Sequence, residues 1–320
     1  MTAIECSALT KRFGDLLAVD HLTFSVEENE IFGLLGPNGA GKTTTIKVLT
    51  TLIPPTSGSV EVMGHDVKDG VSVRKLIGVV RQEIAMDIFL SLYDNMDIYG
   101  RIHGMPKKER KERIENLLEA LDLQDKRDAK IETLSGGLMR RAQIARSFMH
   151  RPEILFLDEP TTGLDPRARR SVWDFIKDAA SQGTTVILTT HYMEEADYLC
   201  DRIGIMDHGR IIALGTPDEL KNGMGGGDIV ELTVEGDPLE LSAEVSKLEY
   251  VKKASAAEGI IKMQVDNADI ILSDLTQYVI ERGRKIRGIS VIRNVSIRKP
   301  SLEDVFLSLT GKRMVPKKET

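Results

Sequence analysis

With 320 residues, of which 41% are hydrophobic and 29% are charged, the chain can bury one large core and still form a smaller second domain. The net charge of −6 excludes the overall basic footprint of nucleic-acid-binding proteins, so we expect no nucleic-acid partner. The sequence has no apolar run of membrane-spanning length, we expect no signal peptide, and the distant Cys6 and Cys200 indicate free thiols in a reducing compartment.

The first informative elements in the chain are a strand, a glycine-rich loop and a helix. The apolar run 31–35 predicts a buried strand, and residues 43–49 predict a helix whose positive N-terminus faces the loop. In such a loop, backbone N–H groups point at phosphate oxygens, Lys42 reaches the β- and γ-phosphates, and the Thr43 hydroxyl ligates Mg²⁺. The loop therefore predicts a nucleotide site made by Gly36, Pro37, Asn38, Gly39, Ala40, Gly41, Lys42, Thr43 and Thr44.

The pattern then changes from strand-like to helical. Residues 77–81 predict a strand that delivers Gln82 to its end, although a single polar strand-end residue is a weak signal by itself. Residues 90–103 and 107–123 have helical spacing. The second of these begins with interleaved lysines, arginines and glutamates, which is typical of the solvated face of an amphipathic helix.

Ser135, Gly136 and Gly137 precede a predicted helix over residues 138–149. A hydroxyl and exposed N–H groups at the positive end of a helix form an anion site. An ordinary capped helix start would explain Ser135, but it would not explain the paired glycines that follow. The chain therefore contains a second candidate site for phosphate.

Two further strands end in residues that suit phosphoryl chemistry. The apolar run 154–157 predicts a strand of a parallel sheet, and ligands of such sheets gather at the carboxyl ends of the strands. Asp158 is the candidate Mg²⁺ partner, and Glu159 is placed to orient the attacking water or accept its proton. The strand 185–190 brings His191 to the same edge, where a structural histidine is the alternative interpretation.

In order and spacing, these segments resemble the ATP-binding subunit of ABC transporters over roughly the first 220 residues. The resemblance implies that ATP is bound with Mg²⁺. It implies a nucleotide contact for Phe13, on which adenine would stack, although an apolar core contact is the alternative from sequence. It assigns Ser135, Gly136 and Gly137 to the signature motif, and Gln82 to the Q-loop with a metal contact. It assigns Asp165 to the D-loop and His191 to the switch histidine.

The resemblance also implies an architecture and partners. The fold would be an α/β P-loop domain with a RecA-like core, a mixed sheet and a helical subdomain at about 83–150. Two copies would associate head to tail, with ATP between the phosphate loop of one and the signature of the other. The chain would lie on the cytoplasmic face of the cell membrane and bind separate permease subunits. From the many apolar and aromatic side chains in one short segment, we expect a subset of six residues to line a groove for the permease: Ile88, Phe89, Leu92, Tyr93, Ile98 and Tyr99.

A second domain is predicted after the nucleotide-binding domain, for which we expect residues 1–222. Residues 223–227 form a glycine-rich linker, residues 228–311 a small α+β domain, and residues 312–320 a polar tail. The alternation of patterns predicts a ferredoxin-like βαββαβ unit. Its strands are expected at 229–234, 251–256, 260–265 and within 286–297, and its helices at 239–248 and 268–282.

The C-terminal segment 300–311 resembles the closing helix of ATPase subunits from the drug-resistance and antibiotic-export branch, of daunorubicin-resistance type. Ser301 is the expected N-cap and Gly311 the expected C-cap, with Leu302, Val305, Phe306 and Leu309 facing inward. Together with Leu138, which stands where many family members have glutamine, this ending favours export. We expect the C-terminal domain to stabilise the homodimer or to tune the cycle.

The function predicted from the sequence is ATP hydrolysis that drives export of drugs or other small amphipathic molecules. One alternative is a non-transport ABC ATPase that acts on the ribosome or on DNA. The acidic charge and the single nucleotide domain weigh against it. The other alternative is a regulatory module that holds ATP without turnover, which the presence of Lys42, Asp158, Glu159 and His191 disfavours.

Overall fold

The computed structural model describes residues 1–83, 85–223, 227–235, 238–283 and 292–311. The chain divides into two compact units, of which the first ends at Pro217 and the second begins at Asp218. Most of the predicted linker (224–226), the start of the last predicted strand (286–291) and the predicted tail (312–320) lie outside the described residues. Among the described helices, none combines the length and apolar character needed to cross a membrane.

The first unit contains two sheets. Its strands, in chain order, are β1 (Thr2–Phe13), β2 (Leu16–Glu27), β3 (Ile31–Leu35), β4 (Ser57–Val62), β5 (His65–Asp66), β6 (Ile77–Val80), β7 (Ile154–Asp158), β8 (Thr185–Thr190), β9 (Arg202–Asp207) and β10 (Arg210–Gly215). The antiparallel sheet has the order β2-β1-β4-β5. The other has the order β10-β9-β3-β8-β7-β6, and all of its pairs are parallel except β10 with β9.

Helices pack around these sheets and form a helical segment between β6 and β7. The helices are α1 (Lys42–Leu49), α2 (Gly70–Leu76), α3 (Leu92–Ile102), α4 (Lys107–Ala120), α5 (Gly136–Ser147), α6 (Pro166–Ser181) and α7 (Met193–Leu199). A further helix, α8 (Pro217–Asn222), begins at the last residue of the first unit and otherwise belongs to the second unit. Helix α4 ends before the predicted Leu123 because Asp122 is left-handed, with φ 52°. Helix α5 begins two residues earlier than predicted because Ser135 caps it.

The parallel strands explain where the polar residues of the first unit meet. Every residue of β3, β7 and β8 is buried, as expected for strands covered on both faces. Since β3, β6, β7 and β8 run in one direction, their carboxyl ends share one sheet edge. The phosphate loop, Gln82, Glu159 and His191 all follow these strand ends. Cys6 and Cys200 are free and buried.

The second unit confirms the predicted βαββαβ fold. Its elements are β11 (Asp228–Val234), α9 (Leu239–Val245), β12 (Val251–Ala257), β13 (Ile260–Val265), α10 (Ala268–Gly283), β14 (Ile292–Arg298) and α11 (Leu302–Thr310). The sheet is antiparallel with the order β12-β13-β11-β14, and its buried face packs against α9 and α10. Ser301 and Gly311 cap α11 as predicted. The inward position predicted for Leu309 is wrong: the side chain is exposed.

Candidate functional site: a phosphate loop facing two carboxylates

A cavity of about 550 Å³ lies at the carboxyl edge of the parallel strands. Gly41 shows why the loop needs glycine: its φ is 103°, and a Cβ would lie 2.6 Å from the carbonyl oxygen of Ala18. Helix α1 begins at the next residue, Lys42, and its first N–H groups have no partner within the helix. The cavity is lined by Leu16, Leu17, Ala18, Asn38, Gly39, Gly41, Lys42, Thr43, Thr44, Gln82, Glu159, His208 and Gly209.

Three of the predicted loop residues, Gly36, Pro37 and Ala40, do not line the cavity, and their carbonyl groups accept hydrogen bonds within the protein. The buried Lys42 ammonium donates hydrogen bonds to the carbonyl oxygens of Gly36, at 2.6 Å, and Pro37, at 3.0 Å. The carbonyl oxygen of Ala40 accepts a hydrogen bond from the N–H of Gly209. Burial lowers the pKa of Lys42, and the charges of Glu159 and Asp158 oppose that shift. A phosphate at this position would offer the ammonium a charged acceptor in place of two neutral carbonyls.

Asp158 and Thr43 place two oxygen ligands together. The Thr43 hydroxyl lies 3.2 Å from Oδ1 of the buried Asp158, and the Thr189 hydroxyl donates to the same oxygen at 2.5 Å. Magnesium prefers oxygen ligands and is commonly held by one or two carboxylates together with the phosphates of a nucleotide. These residues fit that requirement, and Gln82 lines the same cavity.

Glu159 and His191 form a hydrogen-bonded pair. The His191 Nδ1 lies 3.2 Å from Glu159 Oε1, and the Thr162 hydroxyl donates to Oε2 at 3.2 Å. The hydrogen bond from His191 lowers the pKa of Glu159, against the effect of burial, so the carboxylate is ionised at neutral pH. Its backbone is left-handed, with φ 50°, which costs a non-glycine residue about 1–3 kcal/mol. The N–H of Glu159 is fixed by the carbonyl and hydroxyl oxygens of Thr189.

Arg140 is a buried residue near this pair that the sequence interpretation missed. Its guanidinium donates to the carbonyl oxygens of Glu159, at 2.7 Å, and Pro160, at 3.0 Å. Burial lowers its pKa to about 10, which still leaves it charged at neutral pH. Helical spacing could have indicated that Arg140 is buried, because it lies four residues before the fully buried Ile144 on the same face of α5.

Glu195 is a second missed residue. Its fully buried Oε1 accepts hydrogen bonds from the Thr161 hydroxyl, at 2.7 Å, and from Trp173 Nε1, at 3.0 Å. These bonds link α7, which follows His191, to the segment after Glu159 and to α6. Burial raises the pKa of Glu195. The partners of a buried carboxylate come from distant parts of the chain, so no local pattern identifies it.

Several predicted site residues lie away from the cavity. Ser135 is exposed and caps α5 by accepting a hydrogen bond from the Leu138 N–H, and Gly136 is exposed beside it. Gly137 approaches Leu164, where a Cβ would lie 3.4 Å from Cδ2, and the next residue, Asp165, caps α6 through the Ala168 N–H. These signature and D-loop residues therefore lie close together but do not contact the phosphate loop's own cavity.

Phe13 lies outside the residues that line the cavity but near its rim. It is 48% exposed, so the alternative of an apolar core contact is wrong. It pairs with Leu16 across β1 and β2, and Leu16 lines the cavity. Stacking of adenine on Phe13 stays a prediction.

Comparison with known proteins assigns both units. Residues 19–162 match the ABC transporter family, and residues 215–310 match the C-terminal domain of ATP-binding proteins similar to DrrA1-3. Among solved structures, an ATP-binding subunit of an ABC transporter is 27% identical with a TM-score of 0.66, covering 70% of this chain and 94% of that one. The dimeric post-hydrolysis structure of the ATP-binding cassette MJ0796 with ADP and Pi is 25% identical, with a TM-score of 0.62, over 67% and 98% of the two chains.

Relatives of nearly the same length show higher identity. The daunorubicin resistance ATP-binding protein DrrA3 of Streptomyces coeruleorubidus is 41% identical over 97% of this chain and 96% of that protein. The linearmycin resistance ATP-binding protein LnrL of Bacillus subtilis is 36% identical over 97% and 99%. The Nod factor export ATP-binding protein I of a Rhizobium species is 39% identical over 98% of each. The chain therefore belongs to the family of ABC transporter ATP-binding proteins, and it is an ATPase.

Proposed function

We propose that two copies of this chain bind ATP head to tail and use its hydrolysis to drive export of drugs or other small amphipathic molecules. The observation that carries the proposal is the environment of Gly136. This exposed glycine opens α5, its φ is outside the left-handed region, and an added Cβ would meet no described atom within 4 Å. Neither conformation nor packing requires a glycine there, whereas close approach of a phosphate from a second molecule does.

In the proposed dimer, each ATP lies between the phosphate loop of one copy and the signature of the other. Ser135, Gly136 and Gly137 lie outside the cavity that contains Lys42, which supports a role toward a second molecule. The family is consistent with such an arrangement, because a relative of similar fold is described as dimeric with ADP and Pi. ATP then holds the two copies together, and hydrolysis releases them.

Hydrolysis is assigned to the residues around Glu159. Lys42, together with the signature of the opposite copy, neutralises charge on the γ-phosphate. Glu159 orients the attacking water and accepts its proton, and His191 holds that carboxylate through the 3.2 Å hydrogen bond. Thr43 and Asp158, with Gln82, would hold a Mg²⁺ ion that supplies further neutralisation of phosphate charge.

The permease is proposed to dock on a groove between the helical segment and the core of the first unit. A cavity of about 470 Å³ lies there, lined on one side by α2 and β6 and on the other by α3. Of the six apolar and aromatic residues of which a subset is expected to line a permease groove, Tyr99 is the one that lines this cavity. Ile88, Phe89 and Ile98 are exposed elsewhere in the helical segment, while Leu92 is core. Exposed apolar side chains in one short segment are typical of an interaction surface.

Export and location rest on the relatives. Proteins similar over their full length are named for daunorubicin resistance, linearmycin resistance and Nod factor export. By that similarity the chain works at the cytoplasmic face of the cell membrane, bound to separate membrane subunits. The C-terminal unit, which matches the DrrA1-3-like domain, is proposed to stabilise the homodimer or to tune the cycle.

The test uses the full chain with Glu159→Gln, which should bind ATP without hydrolysing it. Sedimentation velocity should show a monomer without nucleotide and a dimer with Mg-ATP. Adding Gly136→Asp should abolish the dimer but leave ATP binding intact, because Gly136 is outside the cavity. A dimer that forms equally well without ATP, or with the aspartate at position 136, would contradict the proposal.

A further inference from the structure

We propose that Arg140 is a positioning residue for ATP hydrolysis: it fixes the backbone on both sides of Glu159 and ties it to the helix that begins with the signature. This inference rests on the proposed function of Glu159 as the carboxylate that orients water. Arg140 itself does not line the nucleotide cavity, so its effect must pass through the residues that it holds.

The guanidinium of Arg140 binds successive carbonyl groups of one segment. Nη2 donates to the carbonyl oxygens of Asp158 and Glu159, and Nε donates to that of Pro160. Nη1 donates to the carbonyl oxygen of Arg81, the residue before Gln82. A single side chain therefore joins the segment that carries Glu159 to the segment that carries Gln82.

The carbonyls that Arg140 binds flank a strained residue. Glu159 has φ 50°, and its N–H is held by Thr189 on β8. Arg140 holds the carbonyls before, at and after this residue, whereas Thr189 holds its N–H. A sparsely populated backbone conformation persists only where the surroundings fix it from several sides. The contacts of Arg140 fix the carbonyl groups of this segment, which the hydrogen bonds from Thr189 do not reach.

The chemistry requires an arginine rather than any cation. Among the described residues, every hydrogen-bond acceptor of Arg140 is a backbone carbonyl or the Gln143 side-chain oxygen, so the guanidinium has no carboxylate partner in this set. The planar fork of arginine reaches acceptors in several directions at once, whereas the compact ammonium of lysine cannot span them. A lysine would leave some of these carbonyls unpaired and the Glu159 segment less well fixed.

Arg140 also connects the Glu159 segment to the helix that begins at the signature. It lies in the second turn of α5, whose first turn contains Gly136 and Gly137 and whose cap is Ser135. Any movement of this helix when its N-terminus meets a second molecule is carried directly to the carbonyls around Glu159. In the proposed dimer, the signature of each copy belongs to one ATP site and Glu159 of the same copy belongs to the other. Arg140 therefore connects the two sites.

The experiment compares two adjacent arginines in the full chain. Arg140→Lys is the test variant, and Arg141→Lys is the matched control, because Arg141 binds the carbonyl oxygen of Leu121 in the helical segment instead. Arg140→Lys should lower kcat for ATP hydrolysis about 10-fold or more, since small displacements of a catalytic group have effects of this order. The KM and the directly measured Kd for ATP should stay within about twofold, and the control should match the wild type in all three quantities.

Single-turnover rates, expressed per molecule of bound ATP, count only folded protein and keep the test valid if Arg140→Lys is less stable. Equal rates for Arg140→Lys and wild type, equal losses in both lysine variants, or a rise in Kd that matches the fall in kcat would each overturn the positioning role. Glu159→Gln is measured in parallel. Normal hydrolysis by that variant would refute the assignment of Glu159, and with it the inference, whereas an inactive Glu159→Gln beside an unaffected Arg140→Lys would refute Arg140 alone.

Discussion

Nδ1 of His191 lies 3.2 Å from Oε1 of Glu159, and this contact joins residues that are 32 positions apart in the sequence. It is the largest contribution to the lowered pKa of Glu159, ahead of the opposing effect of burial. The histidine thus stabilises the ionised form of the carboxylate that we assign to water activation. The pair has consequences for both stability and hydrolysis.

The first prediction concerns the pH dependence of stability. Because the pKa of Glu159 is lower in the folded protein than in the unfolded chain, the ionised carboxylate stabilises the fold above a pH of about 4.5. This contribution is lost as the pH falls through the lowered pKa. The stability of the wild type relative to Glu159→Gln should therefore be constant near neutral pH and decrease in acid. Thermal unfolding of both proteins from pH 7 down to a pH well below 4.5 measures it, and a difference that does not change over this range would contradict the assignment.

The second prediction concerns Thr189, whose hydroxyl donates to Asp158 Oδ1 at 2.5 Å. Thr189→Val removes this bond and the hydroxyl acceptor of the Glu159 N–H, but it keeps the backbone carbonyl that also holds this N–H. Residues that orient a metal ligand typically change metal affinity or activity about 10-fold or more. The Mg²⁺ concentration that gives half-maximal ATP hydrolysis should rise by that order, as measured by titration at saturating ATP.

Thr185→Val is the matched control for Thr189→Val. Thr185 lies on the same buried strand, and its hydroxyl accepts a hydrogen bond from the N–H of Asn29 at the opposite end. It should leave the Mg²⁺ requirement unchanged. If both variants shift it equally, a general loosening of β8, rather than the orientation of Asp158, is the cause.

Local patterns predicted most of the fold and much of the site. The phosphate loop, the strand that ends in Asp158 and the capped helix from Ser301 to Gly311 are each specified within a few residues of sequence. Glycines, caps and runs of apolar residues act on their immediate neighbours, so their consequences can be inferred without tertiary contacts. The parallel sheet then brings the ends of separate strands to one edge.

The residues that escaped prediction act over long distances. Arg140 binds the carbonyl oxygen of Arg81, 59 positions away, and Glu195 binds Thr161, 34 positions away. Neither contact has a local sequence pattern, because the acceptor of Arg140 is a backbone carbonyl that every residue type carries. The wrong position of Leu309 has a different cause. Helical spacing identifies a face, but it does not say how far along the helix that face remains covered.

The third prediction tests the permease surface with Phe89→Asp. Phe89 is 68% exposed in the segment just before α3, so an aspartate should fold normally but disrupt an apolar contact with a membrane subunit. Basal ATP hydrolysis should stay within about twofold, since changes at exposed positions are mostly small. The share of the chain that co-sediments with membranes of its native host should fall strongly, and transport should be uncoupled.

Phe89 is a sharper test position than Tyr93. The ring of Tyr93 is half-buried and lies 4.0 Å from the Arg127 guanidinium, so its substitution also breaks a contact within the chain. Ile270→Asp, at a 75% exposed position of the second unit, is the matched control and should leave co-sedimentation with membranes unchanged. Unchanged co-sedimentation and transport in a stable Phe89→Asp protein would exclude this residue from the permease contact.

The fourth prediction concerns the C-terminal unit as a whole. Deleting residues 228–320 should weaken the ATP-dependent dimer of Glu159→Gln more than it weakens ATP binding, because the nucleotide cavity is built from residues of the first unit. Sedimentation with Mg-ATP and a binding titration on the same preparation measure both quantities. An affinity for ATP that collapses together with the dimer would argue against a separate role of this unit.

The fifth prediction concerns Asp304, a buried residue in the first turn of α11 whose carboxylate binds Arg298 and Lys262. Burial alone would raise its pKa, but the hydrogen bonds from the two cations outweigh burial and hold the pKa well below the usual range. Asp304→Ala leaves both cations without this partner and removes the capping box with Ser301.

The unfolding free energy of the C-terminal unit should therefore fall by about 3 kcal/mol in Asp304→Ala, as for other broken buried ion pairs. Glu303→Ala is the matched control, because Glu303 occupies the same turn of α11 but is exposed, and it should change stability by about 0.5 kcal/mol or less. Calorimetry of the full chain resolves the effect as a lower transition temperature for the second unit. The stabilisation belongs to the ionised form of Asp304, so it should persist through mildly acidic pH and be lost only in strong acid. Equal transition temperatures for the two alanine variants would show that the ion pairs contribute no net stability.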